Sequence, residues 1–320
     1  MSRIRPVLLF LFVDLLVLAL AGVTYFFSSL IVAFDVKTLE QDRENLNIES
    51  PANFGLPQPE NVRIPVGDDN QEMAGWLFIH PNPALNERAC VIISHHGHTG
   101  TRYGGLKYIP PFWTRGCHAL AVDGMHHGES DGAYGTFGCL EKDNMRRVVT
   151  WLVDRLGLQS GAQVGLIGES MGAAIALQTA AVQPEIAFVV ADSSFSELDT
   201  ILSYQGEKRY GFIVDVLLQP SILLAGIRSG CNLYDVQPAA YAARIRAPVL
   251  LIHSAADEYT PPAHSEKIFA NIKHEAKVLR LTDWGASHGR SIDTNQAAYR
   301  VLLYDFLDRY VPEYGNPVGF

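Results

Sequence analysis

From residue 89 onward, short apolar runs alternate with amphipathic or Ala-rich stretches, and this alternation constrains the fold more than any other feature. The runs at 90–94, 119–123, 163–167, 188–191, 248–253 and 277–281 have the length and near-continuous hydrophobicity of strands buried on both faces. Between them, 141–156 reads as an amphipathic helix and 171–183 as an Ala-rich one. Residues 262–271 and 295–310 also read as helices, and 105–115 as a helix broken by Pro110-Pro111. Strands alternating with helices imply a parallel sheet covered on both sides. Upstream, 62–66 and 75–80 read as an antiparallel pair turned at Gly67-Asp68-Asp69-Asn70. A chain of 320 residues suits one large α/β domain or two small ones, and 48% hydrophobic against 18% charged residues exclude a disordered chain.

Two segments fall outside this grammar. Residues 7–34 are almost wholly apolar, with Asp14 the one charge, and are long enough to cross a hydrocarbon core of about 30 Å. Arg3 and Arg5 precede them. Asp35, Glu40, Asp42 and Glu44 follow, balanced by Lys37 and Arg43, so the positive-inside rule puts the N-terminus in the cytoplasm and the remainder outside as a single-pass protein. The competing reading is a cleaved signal peptide ending near Ala19-Leu20-Ala21; against it, apolar sequence continues through Tyr25, Phe26, Phe27 and Ile31. The expected organisation is an anchor over 1–34, a short helix and linker over 35–60, and a catalytic domain over 61–315. The second exception is an insertion at about 196–244, whose apolar stretch 212–227 is interrupted by Asp215, Gln219 and Pro220. It reads as a helical lid, with an interfacial segment or an ordinary buried helix pair as the alternatives.

A net charge of −9, without a basic stretch, argues against a nucleic-acid partner. Cys90, Cys117, Cys139 and Cys231 show no metal spacing and read as small apolar filler with free thiols, a single bridge remaining open.

Chemistry enters at Gly168-Glu169-Ser170-Met171-Gly172, a G-x-S-x-G pattern set between a buried strand and an Ala-rich helix. A sharp strand-to-helix turn needs Gly168 and Gly172 to avoid clashes, and it holds Ser170 at a helix N-terminus, where the dipole favours negative charge. A serine needs a base, and the base an orienting acid. Asp257 follows the run 248–253, and His288 lies in the loop after 277–281; the order Ser, Asp, His is that of a nucleophile elbow with its partners. Asp283 is the alternative acid, and His264 or His274 the alternative base. An oxyanion hole needs two N–H donors: Met171 supplies one, and His98, in the loop holding His96 and Gly97, is the candidate for the other. No carboxylate stands at ligand spacing from these histidines, so no metal is expected.

These residues, with Asp123-Gly124-Met125-His126-His127-Gly128-Glu129-Ser130 and Asp192-Ser193-Ser194-Phe195, resemble the α/β-hydrolase superfamily. Ala52-Asn53-Phe54-Gly55-Leu56-Pro57 and Ala74-Gly75-Trp76 are similar to its membrane-anchored Bem46-like and YqkD-like branch, and the resemblance spans about residues 50–312. It implies the α/β-hydrolase fold: an eight-stranded, mostly parallel sheet flanked by helices, antiparallel at its start, with a helical insertion after the sixth strand. It also implies cofactor-free hydrolysis of acyl bonds. Met125 and His126 replace the Arg and Gly usual in the family's D-x-R-G-H-G-x-S pattern, a segment that shapes the crevice and supplies no triad member.

The expected activity is hydrolysis of a small-molecule or lipid-like carboxylic ester through an acyl-enzyme. A peptidase or thioesterase using the same triad is the first alternative, and the lack of a propeller segment favours esters over peptides. A tethered binding protein on a dead scaffold is the second, and an intact Ser170, Asp257 and His288 argues against it.

Overall fold

The computed structural model describes residues 4–67 and 70–317. Asp68 and Asp69 of the expected turn, and Arg3 of the flanking charge pattern, lie outside the described residues. Eight strands form one sheet: β1 (Glu60–Pro65), β2 (Glu72–Phe78), β3 (Val91–His95), β4 (His118–Val122), β5 (Val164–Glu169), β6 (Phe188–Asp192), β7 (Val249–Ser254) and β8 (Lys277–Thr282). Their order is β1-β2-β4-β3-β5-β6-β7-β8. β2 pairs antiparallel with β1 and β4, and every later pairing is parallel. This is the α/β-hydrolase sheet that the resemblance implies.

The central strands are buried on both faces and sort their side chains by parity. Val91, Ile93, Val249 and Leu251 enter one core, and Ile92, Leu250 and Ile252 the other. The first core is closed by α5 (Glu141–Leu156) and α6 (Met171–Val182), the second by the last helices, α11 (Ser291–Thr294) and α12 (Gln296–Tyr310). Local signals set the helix ends. Glu141 and Asp143 sit in the first turn of α5, which stops at Gly157 in the left-handed conformation, and Asn295 caps α12 through the Ala298 N–H. α6 is apolar on every side because it lies inside the molecule.

The region read as one broken helix at 105–115 starts earlier and is shorter in its parts. α3 (Arg102–Gly105) is capped by Thr101, and α4 (Pro110–Trp113) opens on the proline, which needs no N–H acceptor at a helix start. The stretch at 35–60 is also firmer than a linker. Thr38 and Gln41 form a capping box at the start of α2 (Leu39–Asn45). The buried Asp42 carboxylate then accepts the N–H and O–H of Thr101 and pairs with Lys37, fastening α2 to the loop after β3.

α1 (Ile4–Val32) is the helix of the apolar N-terminus, and from Leu8 to Val32 its mean hydropathy is 2.4. It is long and apolar enough to cross a membrane, and its large apolar side chains from Leu8 to Leu20 are exposed. Its end is not: Ile31, Val32 and Phe34 are buried members of the first core. The insertion after β6 is helical, with α7 (Leu198–Tyr210), α8 (Ile213–Ser229) and α9 (Pro238–Ala242) preceding β7, and α10 (Ala263–Asn271) following it. α8 runs through Pro220 and packs along α1.

The reading of four free thiols is corrected for two of them. Cys90 and Cys117 stand immediately before β3 and β4, whose first residues Val91 and His118 are register partners, so sheet pairing brings the two thiols together and they form a disulfide. Sequence spacing gives no access to that register. Cys139 and Cys231 are free. A peptide map without reductant is expected to join the Cys90 and Cys117 peptides and to leave Cys139 and Cys231 open to alkylation. Replacing Cys90 and Cys117 with serine should lower unfolding stability by about 2–4 kcal/mol in a urea titration.

Candidate active site

β5 delivers the chain to the centre of the sheet and α6 carries it away, so a single residue makes the turn. Ser170 is that residue, with φ of 52° and ψ of −115°, a strained backbone for a side chain with a Cβ. Its N–H donates to the Asp192 carbonyl at 2.8 Å, and its own carbonyl accepts the Ala174 N–H. The flanking glycines have a steric cause. A Cβ on Gly172 would lie 2.4 Å from the His95 carbonyl oxygen, and one on Gly168 would lie 2.4 Å from the Gly172 carbonyl carbon. β5, α6 and the loop after β3 therefore touch backbone to backbone.

That contact places two N–H groups. Met171 opens α6, so its N–H has no acceptor within the helix. The His98 N–H makes no backbone hydrogen bond among the described residues. The loop is shaped by its other histidines. The His96 ring donates from Nδ1 to the Gly97 carbonyl at 2.7 Å and accepts the Gly124 N–H on Nε2 at 2.9 Å, which ties it to the segment after β4. In that segment the buried Asp123 carboxylate takes two bonds from the Arg102 guanidinium, and the Ser130 hydroxyl donates to the Asp123 carbonyl. The segment is thus tied to the loop after β3 and to the start of α3.

Asp257 and His288 meet. The Nδ1–H of His288 donates to Asp257 Oδ2 at 2.7 Å, leaving Nε2 buried and without a hydrogen-bond partner. Oδ1 of Asp257 accepts the N–H groups of Tyr259 and Thr260. Burial pushes the Asp257 carboxyl up, but hydrogen bonds from His253 and His288, the His288 charge and the Thr260 N–H outweigh it and hold it well below the usual carboxylate range. His253 is the member that sequence reading missed. It ends the apolar run of β7, its Nε2 lies 3.3 Å from Asp257 Oδ2 and donates to the Thr260 carbonyl, and its Nδ1 accepts from Ser265. The sequence offers no signal for it, because the contact depends on how the 257–260 loop folds back on the strand end.

Ser170, His288, His98 and Tyr259 line one cleft of about 540 Å³, and the Tyr259 ring packs at a tilt against His288, with centroids 4.8 Å apart. Two further hollows adjoin it. A small one of about 90 Å³ holds Ser170 and Met171 among apolar side chains. The other, of about 250 Å³, is polar, and its cations are paired: Lys37 with Asp42, Lys107 with Glu169 and Asp293, and Arg290 with Asp293.

The alternative partners are placed elsewhere. Asp283 is exposed after β8, and His274 lines a separate surface hollow with Arg244 and Arg246. His264 has its own serine: Ser196 Oγ lies 2.7 Å from His264 Nδ1, which also accepts the Ser196 N–H at 3.2 Å. Ser196 is buried, and its hydroxyl also bonds the Glu197 carboxylate. A hydroxyl enclosed in this way offers no approach to a carbonyl carbon, and the pair reads as a fastening between the insertion and α10.

Four histidines in and beside the loop after β3 are neutral through burial. Burial lowers His95 and His98 to about 4 and His127 to about 3, and holds His96 well below 6.5. The unfolded chain therefore binds protons that the fold refuses between these values and about 6.5. Stability from this cluster is complete above about pH 6.5 and is lost as pH falls toward 4. Denaturant midpoints measured between pH 7.5 and 4.5 are expected to drop steeply, with an uptake of more than one proton on unfolding.

With this geometry in place, comparison with known proteins is informative. The prolyl oligopeptidase family profile matches residues 131–313, and that of the X-Pro dipeptidyl-peptidase (S15) family matches residues 39–217. YqkD of Bacillus subtilis is 32% identical over 219 residues, 68% of this chain and 70% of that protein. Among solved structures, the Pyrococcus furiosus esterase Pf2001 superposes with a TM-score of 0.65 at 26% identity, covering 82% of this chain and 95% of the esterase. The Pyrococcus horikoshii acylaminoacyl peptidase shares the fold at a TM-score of 0.60 and 18% identity, with 43% of its chain covered.

Proposed function

The chain belongs to the α/β-hydrolase superfamily, in the group that the prolyl oligopeptidase and X-Pro dipeptidyl-peptidase families define, and on that premise we propose that it hydrolyses carboxylic esters with Ser170 as nucleophile, His288 as base and Asp257 as its orienting acid. The observation that carries the reading is the joint placement of Ser170, on its strained turn, and His288, bonded to Asp257, on the wall of one cleft.

Each group has a defined task. His288 Nε2 takes the proton as Ser170 Oγ attacks the acyl carbon, and its Nδ1–H stays on Asp257, which fixes the tautomer and stabilises the imidazolium. The N–H groups of Met171 and His98 receive the negative charge on the carbonyl oxygen. Collapse expels the alcohol with the proton held by His288. Water then enters, His288 takes its proton, and the acyl-enzyme breaks to acid and Ser170, whose Oγ takes that proton back from His288. The paired cations of the polar hollow suit an uncharged hydroxylated leaving group better than a phosphate.

The likeness to the Pf2001 esterase over nearly its whole length favours esters. The two peptidase profiles favour a second reading, cleavage of amides by the same residues. For location, α1 supports a single-pass anchor, with Arg5 on the cytoplasmic side and the catalytic domain outside. The Cys90–Cys117 bond agrees, because such links persist in oxidising compartments.

The full chain, purified in detergent, is expected to turn over p-nitrophenyl esters faster than aminoacyl p-nitroanilides. Ser170→Ala should lower kcat by at least about a thousandfold, whereas Ser196→Ala should stay within about threefold of the parent. Loss of activity in Ser196→Ala with retention in Ser170→Ala would move the nucleophile to the buried pair.

A further inference from the structure

α1 ends against the catalytic site rather than beside it. Between its last turns and the α7–α8 pair lies a cavity of about 270 Å³. Phe27, Leu30, Ile31 and Phe34 form one wall, and Leu202 and Leu217 belong to the other. The small hollow at Ser170 shares Leu30, His98, Leu202 and Gln205 with this cavity. The two hollows thus adjoin, one at Ser170 and Met171 and the other along the flank of the helix.

The wall is fixed in place. The Arg228 guanidinium of α8 donates to the hydroxyls of Ser28 at 2.6 Å and Ser29 at 2.8 Å and lies 4.3 Å over the Tyr25 ring. Phe34 packs on the His98 ring at 4.1 Å. On the other side, α7 is tied to the acid loop, with the Tyr204 hydroxyl and Lys208 ammonium donating to the Glu258 carbonyl and Gln205 to that of Tyr259.

Position relative to a bilayer follows from helix rise. If the span starts at Leu8, a hydrocarbon core of about 30 Å ends some twenty residues later, near Phe27. The residues that line the cavity then sit at the outer interface. α8 presents a matching surface: Phe212, Val216, Leu223 and Ile227 are 86%, 68%, 58% and 71% exposed and follow one another at helical spacing along one stripe. Gln219 and Pro220 break this stripe, and the exposed apolar side chains on either side of them, on a helix packed against α1, suit a lipid interface better than water.

We propose that the last turns of α1 are a wall of the acyl-binding site, and that this site takes the single acyl chain of a membrane lipid ester, entering sideways from the bilayer between α1 and α8. The two hollows together reach only the low end of the volumes typical of small-molecule sites, which suits one chain and not two. The proposal rests on the ester-hydrolase reading and goes beyond it by making the anchor part of the substrate site.

The test compares kcat/KM for p-nitrophenyl decanoate and p-nitrophenyl acetate in the full chain. Leu30→Trp would fill the neck shared by the two hollows and is expected to lower the decanoate-to-acetate ratio at least about tenfold. Leu30→Ala would widen it and is expected to move the optimum toward longer chains, so the two variants act in opposite directions. Leu18→Trp, on the bare lipid-facing part of α1, is expected to leave the ratio unchanged. A ratio that stays constant in both Leu30 variants of an active enzyme would overturn this proposal and leave the ester reading standing. A parent chain that turns over neither ester would overturn both.

Discussion

The active site depends on one close approach. The start of α6 lies so near the loop after β3 that no side chain fits at residue 172, where a Cβ would stand 2.4 and 2.5 Å from the carbonyl oxygens of His95 and His96. This contact sets the distance between the two candidate oxyanion donors, because Met171 and His98 sit on either side of it. It also leaves Ser170 no choice of backbone. The turn from β5 into α6 must be made in one residue, and the strain at its positive φ is carried by the packing on both sides.

A second, half-buried network joins this turn to the loop that carries His288. Lys107 Nζ pairs with Glu169, the residue before the serine, at 2.6 Å and donates to the carbonyl of Gly289, the residue after His288, also at 2.6 Å. The Tyr108 hydroxyl lies within bonding distance of both Glu169 and Asp192. Burial lowers the affinity of Lys107 for its proton, but Glu169, Asp293 and Asp192 reverse this and raise its pKa. A charged lysine surrounded by carboxylates and a carbonyl has little freedom to move, so the elbow and the His288 loop keep one relative position before any substrate arrives.

How much of this was legible in the sequence varied with the range of the interaction. The strands from β3 onward, α5 and α6 are set by short-range pattern and by caps, and they stand within a residue or two of where periodicity places them, whereas β2 starts three residues earlier. The candidate triad was legible because a G-x-S-x-G turn between strand and helix dictates a local geometry, and its partners follow in chain order. What escaped depended on register and on long-range packing. Cys90 and Cys117 are 27 residues apart and meet only because β3 and β4 are neighbours. Asp42 looked like one more charge in a linker, yet it is buried on Thr101. His253 looked like the polar end of a strand, and only the fold of the 257–260 loop shows its contact with Asp257. Composition marked α1 as a membrane segment but gave no hint that its final turn is part of the domain core.

That last point changes what the anchor means physically. A tether joined by a flexible linker would hold an enzyme near a surface without favouring any orientation. Here Ile31, Val32 and Phe34 share the core with residues of β3, β4 and α6, and Arg228 ties α8 to the helix above them. The orientation of the helix therefore becomes the orientation of the domain. If α1 stands across a bilayer, the exposed stripe of α8 and the cavity beside it are held at the lipid surface with no further binding energy required. The cost of finding the interface would then be met once, during insertion, rather than at each turnover. A rigid anchor of that kind would act as a preorganised wall does, by removing orientational freedom between the cleft and the phase in which an apolar substrate dissolves.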